Sequence, residues 1–269
     1  MKIISHKNKL IKLIYNEKNL GFVPTMGGIH LGHISLIKRS IRECKKTIVS
    51  IFINKPQFNK KSDFIRYPRT LKKDILKLKK LKIHLLYLPS VKEIYPNGPN
   101  KSIKISSLEK KLCGKNRPGH FKAVVDVIDR FIKIIKPKKI YFGEKDMQQL
   151  KILEHFINKN HPTTKVIGCT TVREKNGLAY SSRNVLLSFK EKQIGSKIYK
   201  FIKSKKKYII KKRIQINQLK KRIIKIGADK IDYIKLLDIN KLIQSNKKSK
   251  KFKIFIAYYL KKTRLIDNI

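Results

Sequence analysis

The sequence predicts an α/β fold with a doubly wound parallel sheet and a smaller α+β domain at its C-terminal end. Three observations lead to this prediction. Short apolar segments alternate with amphipathic helical segments through the first two thirds of the 269 residues. The composition then changes near Lys190, where long lysine-rich segments with a helical pattern begin. Finally, the polar motifs follow predicted strands, and doubly wound sheets bind their ligands at the carboxyl ends of strands.

The elements of the predicted sheet follow one another as strand, loop and helix. Apolar runs of about four to eight residues predict strands, and apolar residues at intervals of three and four predict helices. In the helix over 70–81, for example, Ile75, Leu78 and Leu81 fall on one face. The predicted order is strand 20–24, helix 32–44, strand 47–53, helix 70–81, strand 83–88, helix 123–135, strand 139–142, helix 147–157 and strand 165–172.

A second domain is predicted to begin near Leu178, which divides the chain into residues 1–177 and 178–269. Beyond this boundary the sequence predicts lysine-rich helices, followed by strands over 231–237 and 253–260. The Lys- and Ser-rich stretch 245–251 is predicted to be a mobile loop.

The chain is strongly basic, since 67 Lys and Arg against 17 Asp and Glu give a formal net charge of +50. Such a balance is typical of nucleic-acid-binding proteins. Here, however, lysine is spread over every segment and is not concentrated on one stripe with interleaved aromatic residues. The densest runs, 205–213 and 247–253, therefore predict solvated surface, and no specific nucleic-acid partner is expected. Nonspecific binding of polyanions at low salt follows from the charge in either case.

The sequence also bears on the compartment of the protein. No apolar run approaches the ~20 residues of a membrane span. The stretch 1–19 lacks the continuous apolar core and cleavage site of an export signal. The three cysteines, Cys44, Cys113 and Cys169, are sparse and far apart. We therefore expect a cytoplasmic protein in a reducing environment, with no membrane partner.

The most informative motif spans residues 24–33, Pro-Thr-Met-Gly-Gly-Ile-His-Leu-Gly-His, between the first predicted strand and helix. Its glycines let the backbone approach a phosphate where free N–H groups of a helix favour anions. His30 and His33 are three residues apart, which places both imidazoles on one face of the first helical turn. This arrangement suits adenylyl transfer, where catalysis consists mostly of positioning and of stabilising charge on phosphorus.

Two other interpretations of this motif are open from the segment alone. The histidines could ligate a metal such as zinc, although the cysteines form no C-x-x-C pair. The motif could also be a structural glycine-rich turn with two incidental histidines. The remaining motifs of the chain favour neither.

Polar residues also follow the second predicted strand. Asn54 and Gln57 offer neutral amides to a small polar substrate, although an ordinary polar loop is the favoured interpretation of this segment alone. In the next helix, Asp74 is one of few acids among lysines. It could help to hold Mg²⁺ or could offset the charges of Lys73 and Lys77.

The strand over 139–142 leads into the motif Gly143-Glu144-Lys145-Asp146. Lys145 offers a positive charge to phosphate. Asp146 could hold a ribose hydroxyl or Mg²⁺, or could simply cap the next helix. Gln149 is expected to face the ligand crevice one helical turn later.

The predicted domain junction carries Tyr180-Ser181-Ser182-Arg183. Two hydroxyls and a guanidinium in a row form a compact clamp for phosphate oxygens, and at a junction such a clamp could close over a nucleotide. A plain loop is the alternative.

Together these motifs resemble the pantothenate synthetase family, the ligases of pantoate and β-alanine, over essentially the full chain. Chance agreement at so many spaced motifs is not credible. The segments that carry the resemblance are 23–27 with 30–33, 50–54 with 57–58, 67–70, 117–121, 142–146 with 148–150, 177–179 with 181–184, and 264–268.

The resemblance implies a Rossmann-like N-terminal domain, a smaller C-terminal lid domain and a homodimer. It also implies the reaction. ATP and pantoate would form enzyme-bound pantoyl adenylate and pyrophosphate, and the amine of β-alanine would then attack the acyl carbon to give pantothenate and AMP. Mg²⁺ would bridge the phosphates near Asp74.

The resemblance further assigns roles to residues, with the two histidines stabilising the transition state and two cations neutralising phosphate charge. The candidate catalytic residues are His33, His30, Lys145 and Arg183. The candidate ligands of pantoate and β-alanine are Gln57, Gln149 and Asn54. The candidate ATP ligands are Met26, Gly27, Gly28, Ile29, His30, Leu31, Gly32, His33, Gly143, Glu144, Lys145, Asp146, Val172, Tyr180, Ser181, Ser182 and Arg183.

The sequence departs from the family pattern at two places that bear on the site. Pro56 stands one position later than the usual proline, which predicts a different path for the loop before Gln57 and calls pantoate affinity into question more than the reaction type. Tyr180 replaces an aliphatic residue, and we expect it to stack near the adenine or to crowd it.

Two other functions are alternatives. A nucleotidylyltransferase with a dinucleotide-type product would share the histidine motif but would not need the acyl-substrate pocket of Gln57 and Gln149. A nucleic-acid-binding protein on a degenerate enzyme scaffold would show charge without turnover. The presence of every catalytic position conflicts with this last alternative.

Overall fold

The computed structural model describes residues 1–100, 102–211, 213–239 and 251–269. Within these ranges a larger sheet contains six parallel strands, namely β1 (Lys2–Ile4), β2 (Leu20–Thr25), β3 (Lys46–Ile51), β4 (Leu85–Tyr87), β5 (Lys139–Gly143) and β6 (Lys165–Cys169). Their order across the sheet is β1-β4-β3-β2-β5-β6.

Helices cover both faces of this sheet. They are α1 (Lys7–Ile14), α2 (Leu31–Glu43), α3 (Lys61–Arg66), α4 (Leu71–Lys80), α5 (Val91–Ile94), α6 (His120–Ile135) and α7 (Met147–Asn160). Successive residues of a strand point to opposite faces, so Phe22 packs in one core with α1, α6 and α7, whereas Val23 packs in another with α2 and α4. Because helices cover both faces of the sheet, most positions of its strands are apolar.

The order of the strands reverses at β2. This strand pairs with β3 on one side and with β5 on the other, and Phe22 lies opposite both Ile48 and Ile140. The loops that leave the carboxyl ends of β2 and β5 therefore diverge and open a crevice. A crevice at such a switch point is the usual ligand site of a doubly wound sheet.

The C-terminal part contains two long helices and a second sheet. They are α8 (Phe189–Ile210), α9 (Ile216–Ile226), β7 (Lys230–Asp238), β8 (Phe252–Leu260) and β9 (Thr263–Asn268), and the strands are antiparallel in the order β7-β8-β9. In β8, Ile254 and Ile256 pack in the core of α8 and α9, and Phe255 and Ala257 pack in a core of the larger sheet. The small sheet is therefore covered by helices on one face and by the rest of the protein on the other.

The predicted fold class is confirmed, and the differences concern short or edge elements. The strand predicted over 165–172 ends at Cys169, and the helix predicted from residue 123 begins at His120. The strands β1 and β9 and the helices α1, α3 and α5 were not predicted. The predicted loop over 245–251 lies outside the described residues, apart from residue 251. In the described chain, no helix combines the length and the apolar character needed to cross a membrane.

Candidate active site

One cavity lies at the carboxyl ends of β2 and β5, at the switch point of the sheet. The predicted site residues that line it are Met26, His30, Gly32, His33, Asn54, Gln57, Gly143, Lys145, Asp146, Gln149, Val172, Tyr180, Ser181, Ser182 and Arg183. The predicted site residues that are not part of its lining are Gly27, Gly28, Ile29, Leu31, Glu144 and Asp74. The cavity thus unites motifs that are far apart in the sequence.

The loop after β2 presents two imidazoles at the start of α2. His30 is the N-cap of this helix, and its Nδ1 accepts a hydrogen bond from the backbone N–H of Gly32 at 3.1 Å. Because Nδ1 accepts, the proton of the neutral ring is on Nε2, which makes His30 a hydrogen-bond donor. The ring of His33 lies parallel to it, with 4.0 Å between centroids and 20° between planes.

Both rings are uncharged near neutral pH. Burial, helped by His33 and Lys145, lowers the pKa of His30 to about 2. Burial and the charges of Lys145 and Lys77 lower the pKa of His33 to about 4. The two rings are therefore neutral imidazoles and not imidazolium ions near neutral pH. For a zinc site, the described residues offer no group of three or more His, Cys, Asp or Glu side chains.

Tyr180 extends the pair of imidazoles. Its ring lies 6.0 Å from that of His30 at 19° between the planes, so three rings are nearly parallel. Tyr180 thus stacks on the loop that carries His30. The predicted contact with adenine stays a prediction.

Helix α4 anchors the loop after β2. The carboxylate of Asp74 accepts hydrogen bonds from the N–H groups of Gly28 (2.9 Å) and Ile29 (2.8 Å) and from the hydroxyl of Thr70 (3.0 Å). One turn later, Lys77 donates to the carbonyl oxygen of Ile29 at 2.6 Å. The side chain of Asp74 is almost fully buried and is not part of the cavity wall. The structure therefore gives Asp74 a structural role as the anchor of this loop.

The same loop is packed closely against the junction motif. Gly27 and Gly28 have φ values of +80° and +62°, and a Cβ at Gly28 would lie 2.9 Å from that of Ser182. The hydroxyl of Ser182 is also 3.1 Å from that of Tyr67. The junction motif is therefore held against the loop after β2.

The predicted substrate amides differ in role. The Nδ2 of Asn54 donates to Gln57 Oε1 (3.1 Å) and to the carbonyl of Ala123 (3.0 Å), and its Oδ1 accepts from Tyr95 (2.8 Å). Asn54 therefore orients Gln57 through one bond, and the other two bonds, with Ala123 and Tyr95, hold the Asn54 amide itself in place. Pro56 lies in a short 3-10 turn over Lys55–Gln57. Gln57, the residue after this proline, still lines the cavity.

Two residues of the cavity were missed by reasoning from the sequence. The guanidinium of Arg117 donates to the carbonyl of Gln57 (3.1 Å) and to Nε2 of His120 (3.0 Å). Since that Nε2 accepts, Nδ1 of His120 carries the proton and donates to the same carbonyl at 2.8 Å. Burial and the charge of Arg117 lower the pKa of His120 to about 3. No predicted strand leads into this segment, so the pattern of polar residues after strands did not include it. The family resemblance at 117–121 was the only sequence signal for these two residues.

The loop after β5 is fixed by the C-terminal strand. The side-chain amide of Asn268 donates to the carbonyls of Glu144 (2.7 Å) and Lys145 (2.8 Å). Lys145 lines the cavity, whereas the carboxylate of Glu144 lies 3.6 Å from Lys253. Asp146 makes no side-chain hydrogen bond as a cap of α7, so the capping alternative is not realised.

The guanidinium of Arg183 has a protein partner. It forms an ion pair with Asp63 of α3 at 3.0 Å and lies over the ring of Tyr67, with 5.6 Å between its Cζ and the ring centroid. Both side chains of the ion pair retain partial exposure, at 25% and 36%. A phosphate that enters the cavity can therefore compete with Asp63 for this cation.

Comparison with known sequences agrees with the geometry of this site. The model of a family described as pantoate-beta-alanine ligase matches residues 2–269. A pantothenate synthetase of Azobacteroides pseudotrichonymphae is 42% identical over 274 residues, which cover 99% of this chain and 97% of the relative. A pantothenate synthetase of Endomicrobium trichonymphae is 40% identical, with 100% of this chain and 97% of the relative covered.

Solved structures give the same result. Pantothenate synthetase from Thermus thermophilus superposes with a TM-score of 0.90 at 31% identity and covers 100% of this chain and 99% of its own. Pantoate-beta-alanine ligase from Francisella tularensis, in a complex with beta-gamma ATP and beta-alanine, gives 0.84 at 35% identity over 100% and 97% of the two chains. The match over the whole length, in sequence and in fold, shows that this chain belongs to the pantoate-beta-alanine ligase family of enzymes.

Proposed function

We propose that the protein condenses (R)-pantoate with β-alanine at the expense of ATP, through a pantoyl adenylate, to give pantothenate, AMP and diphosphate. The observation that carries this proposal is the cavity at the switch point. Its lining brings together two neutral imidazoles, a helix N-terminus and two glutamine amides, Gln57 and Gln149. The first set suits a polyphosphate and the second a small neutral or hydroxylated acyl group.

In the proposed first step, a carboxylate oxygen of pantoate attacks the α-phosphorus of ATP, and the bond to the diphosphate leaving group breaks. Negative charge grows on the phosphoryl oxygens. The Nε2–H of His30, the ring of His33 and the ammonium of Lys145 line the cavity where this charge would develop. Arg183 would exchange Asp63 for a phosphate oxygen.

In the proposed second step, the amine of β-alanine attacks the acyl carbon of the adenylate. The C–N bond forms, the C–O bond to AMP breaks, and the amine nitrogen releases a proton to water. Gln57, held by Asn54 and by the Arg117–His120 pair, would keep the acyl group in line. No covalent bond to the protein is needed.

We propose Mg²⁺ as the counter-ion that ATP brings, and no step depends on it. The carboxylate of Asp74, which the sequence suggested as its ligand, is occupied by three protein donors. Asp146 is a carboxylate on the cavity wall. The residues present therefore do not fit a metal site built around Asp74.

We also propose that residues 178–269 act as a lid on residues 1–177, and that the protein is a cytoplasmic homodimer. The separate core of α8 and α9, which includes Leu178, supports the boundary. The free thiols of Cys44, Cys113 and Cys169 suit a reducing compartment. Sedimentation velocity over a range of protein concentrations tests the dimer.

The experiment that tests the proposed function is the release of AMP and diphosphate from ATP and Mg²⁺ with pantoate, with and without β-alanine. Continuous AMP formation that requires both substrates is the expected result, with a loss of about 10²- to 10³-fold in kcat for His33→Ala. Release of diphosphate without AMP would instead indicate a nucleotidylyltransferase. No turnover with any combination would refute the ligase.

A further inference from the structure

Hydrogen bonds alone do not fix the imidazole of His30. Its Nδ1 accepts from the backbone N–H of Gly32 at 3.1 Å, and within the described chain its Nε2 has no hydrogen-bond partner. One bond at one ring atom sets the tautomer, but it leaves the plane of the ring free to tilt, because the torsion about the Cβ–Cγ bond of histidine is broad. A tilt would turn Nε2–H away from the direction in which it donates.

The ring of His33 is held even less by hydrogen bonds. Its Nδ1 is buried and has no hydrogen-bond partner among the described residues. The contact that the structure gives this ring is the parallel stack on His30, at 4.0 Å between centroids. The orientation of His33 therefore depends on the orientation of His30.

Tyr180 supplies a further ring against His30. The two centroids are 6.0 Å apart and the planes differ by 19°, which is in the range of offset stacking between aromatic rings. Gly32 makes room for this contact. A Cβ at Gly32 would lie 2.9 Å from Cε1 of His30 and 3.7 Å from Cβ of Tyr180, so the two side chains meet over a backbone that carries none.

The backbone of Tyr180 is fixed by the segment that follows β6. Its N–H donates to the carbonyl of Val172 at 3.1 Å, and the preceding residue, Ala179, forms an antiparallel bridge with Arg173. The ring of Tyr180 is half-buried and lines the cavity beside His30. Tyr180 is therefore a support for His30 that comes from outside the loop after β2.

We propose that Tyr180 is a positioning residue, whose ring keeps the plane of the His30 imidazole, and through it that of His33, in the orientation that stabilises the phosphoryl transition state. This inference rests on the proposed ligase function. It differs from the predicted contact with adenine, which would act on ATP binding and not through a histidine. A donor held for the transition state affects kcat, whereas a contact with the bound base affects the KM for ATP.

The test measures pantoate-dependent exchange between ATP and diphosphate in purified full-length protein, because this exchange reports adenylate formation alone. Tyr180→Leu removes the ring, and Tyr180→Phe removes only the hydroxyl. Tyr15→Leu is the matched control, at a tyrosine that is 83% exposed. Tyr180→Leu is also combined with His30→Ala, because the effects of two residues that act as a unit are not additive.

For Tyr180→Leu we expect kcat of the exchange to fall about 5- to 10-fold, with little change in the KM for ATP. Tyr180→Phe retains the ring and should behave as wild type, as should Tyr15→Leu. In the His30→Ala background, Tyr180→Leu should cause no further loss of kcat. An equal loss with and without His30 would overturn the proposal. A rise confined to the KM for ATP would also overturn it and would favour the contact with adenine.

Nuclear magnetic resonance of protein labelled with nitrogen-15 histidine gives a measurement that needs no substrate, with the His30 signals assigned by their loss in His30→Ala. We expect the Nε2–H tautomer alone in the wild type and in Tyr180→Phe, and averaged tautomers in Tyr180→Leu. Averaged tautomers in the wild type would overturn the proposal even if Tyr180→Leu does not fold. Absence of exchange in a wild type that shows the single tautomer would instead refute the ligase function itself.

Discussion

At the residue scale, the candidate site contains two imidazoles that stay uncharged near neutral pH. The pKa values of His30 and His33 are lowered chiefly by burial, and the tautomer of His30 is set by the N–H of Gly32. The sequence indicated the pair, because three-residue spacing at a helix start is visible in it. It could not indicate the charge state, which depends on burial created by residues distant in the chain.

Asp74→Asn distinguishes the anchoring role of this side chain from metal binding. The amide nitrogen of Asn would face an N–H group that now donates to the carboxylate, and this hydrogen bond would be lost. The loop 27–29 would therefore be held less tightly. We expect kcat/KM for ATP to fall by about 10-fold or more, with an unchanged dependence on Mg²⁺ concentration. Rescue of the variant by added Mg²⁺ would contradict the anchoring role. Thr70→Val, which removes only the hydroxyl donor, is the milder control.

At the scale of elements, the close approach between the loop after β2 and the junction motif restricts Gly28. Gly28→Ala would add a Cβ 2.9 Å from that of Ser182 at a φ of +62°. We therefore expect a raised KM for ATP, measured by steady-state kinetics. Gly98→Ala is the matched control, because Gly98 has a φ of +74° but open space around it. Equal effects of the two substitutions on KM would show that backbone strain alone is responsible.

The strand β9 supplies a second support of the site. Asn268 holds the carbonyls of Glu144 and Lys145, so Asn268→Ala leaves both without this donor and frees the loop that carries Lys145. We expect a higher KM for ATP with a small loss of thermal stability. Asn160→Ala removes an amide that donates only to its own helix and should change neither. An unchanged KM for ATP in Asn268→Ala would show that the loop holds its shape without β9.

These elements show what the sequence could and could not predict. Motifs that follow strands were located correctly, because parallel strands of a doubly wound sheet end at one edge. The strand β1 was missed because its three residues are too few to show a period. The helix α1 was missed because its eight residues hold a single repeat of the apolar pattern, Leu10 with Leu13 and Ile14. The roles of Asp74, Arg117 and Asn268 depend on contacts between distant segments, which no local pattern records.

At the scale of the whole molecule, the buried histidines make stability depend on pH. The pKa values of His33, His120 and His30 are about 4, 3 and 2, against 6.5 for a free histidine. At pH values between 6.5 and the pKa of each histidine in the folded protein, the unfolded chain binds more protons than the folded one. The free energy of unfolding therefore falls as pH decreases below about 6.5. The loss continues until each folded pKa is passed.

Denaturant unfolding at pH 7.5, 6.5, 5.5 and 4.8 measures this loss in the free energy of unfolding. Most of this pH range lies above the range in which protonation of carboxylates with lowered pKa values, such as Glu43, changes the stability. His120→Gln should flatten the dependence on pH, whereas the exposed His155→Gln should not. A free energy of unfolding that is constant from pH 7.5 to 4.8 would contradict the neutral state of these rings.

The ion pair between Asp63 and Arg183 has a consequence for selectivity in so basic a protein. A chain with a formal charge of +50 attracts every small anion in solution. Because Arg183 already has a counter-ion, binding at this point is an exchange, and an incoming ligand must offer more than the carboxylate it displaces. In the proposed reaction, a triphosphate would meet that condition by also reaching Lys145 and the start of α2, which a lone sulfate or phosphate ion would not do. In the proposed reaction, Asp63 would thus disfavour the binding of small anions at the position that ATP is proposed to occupy.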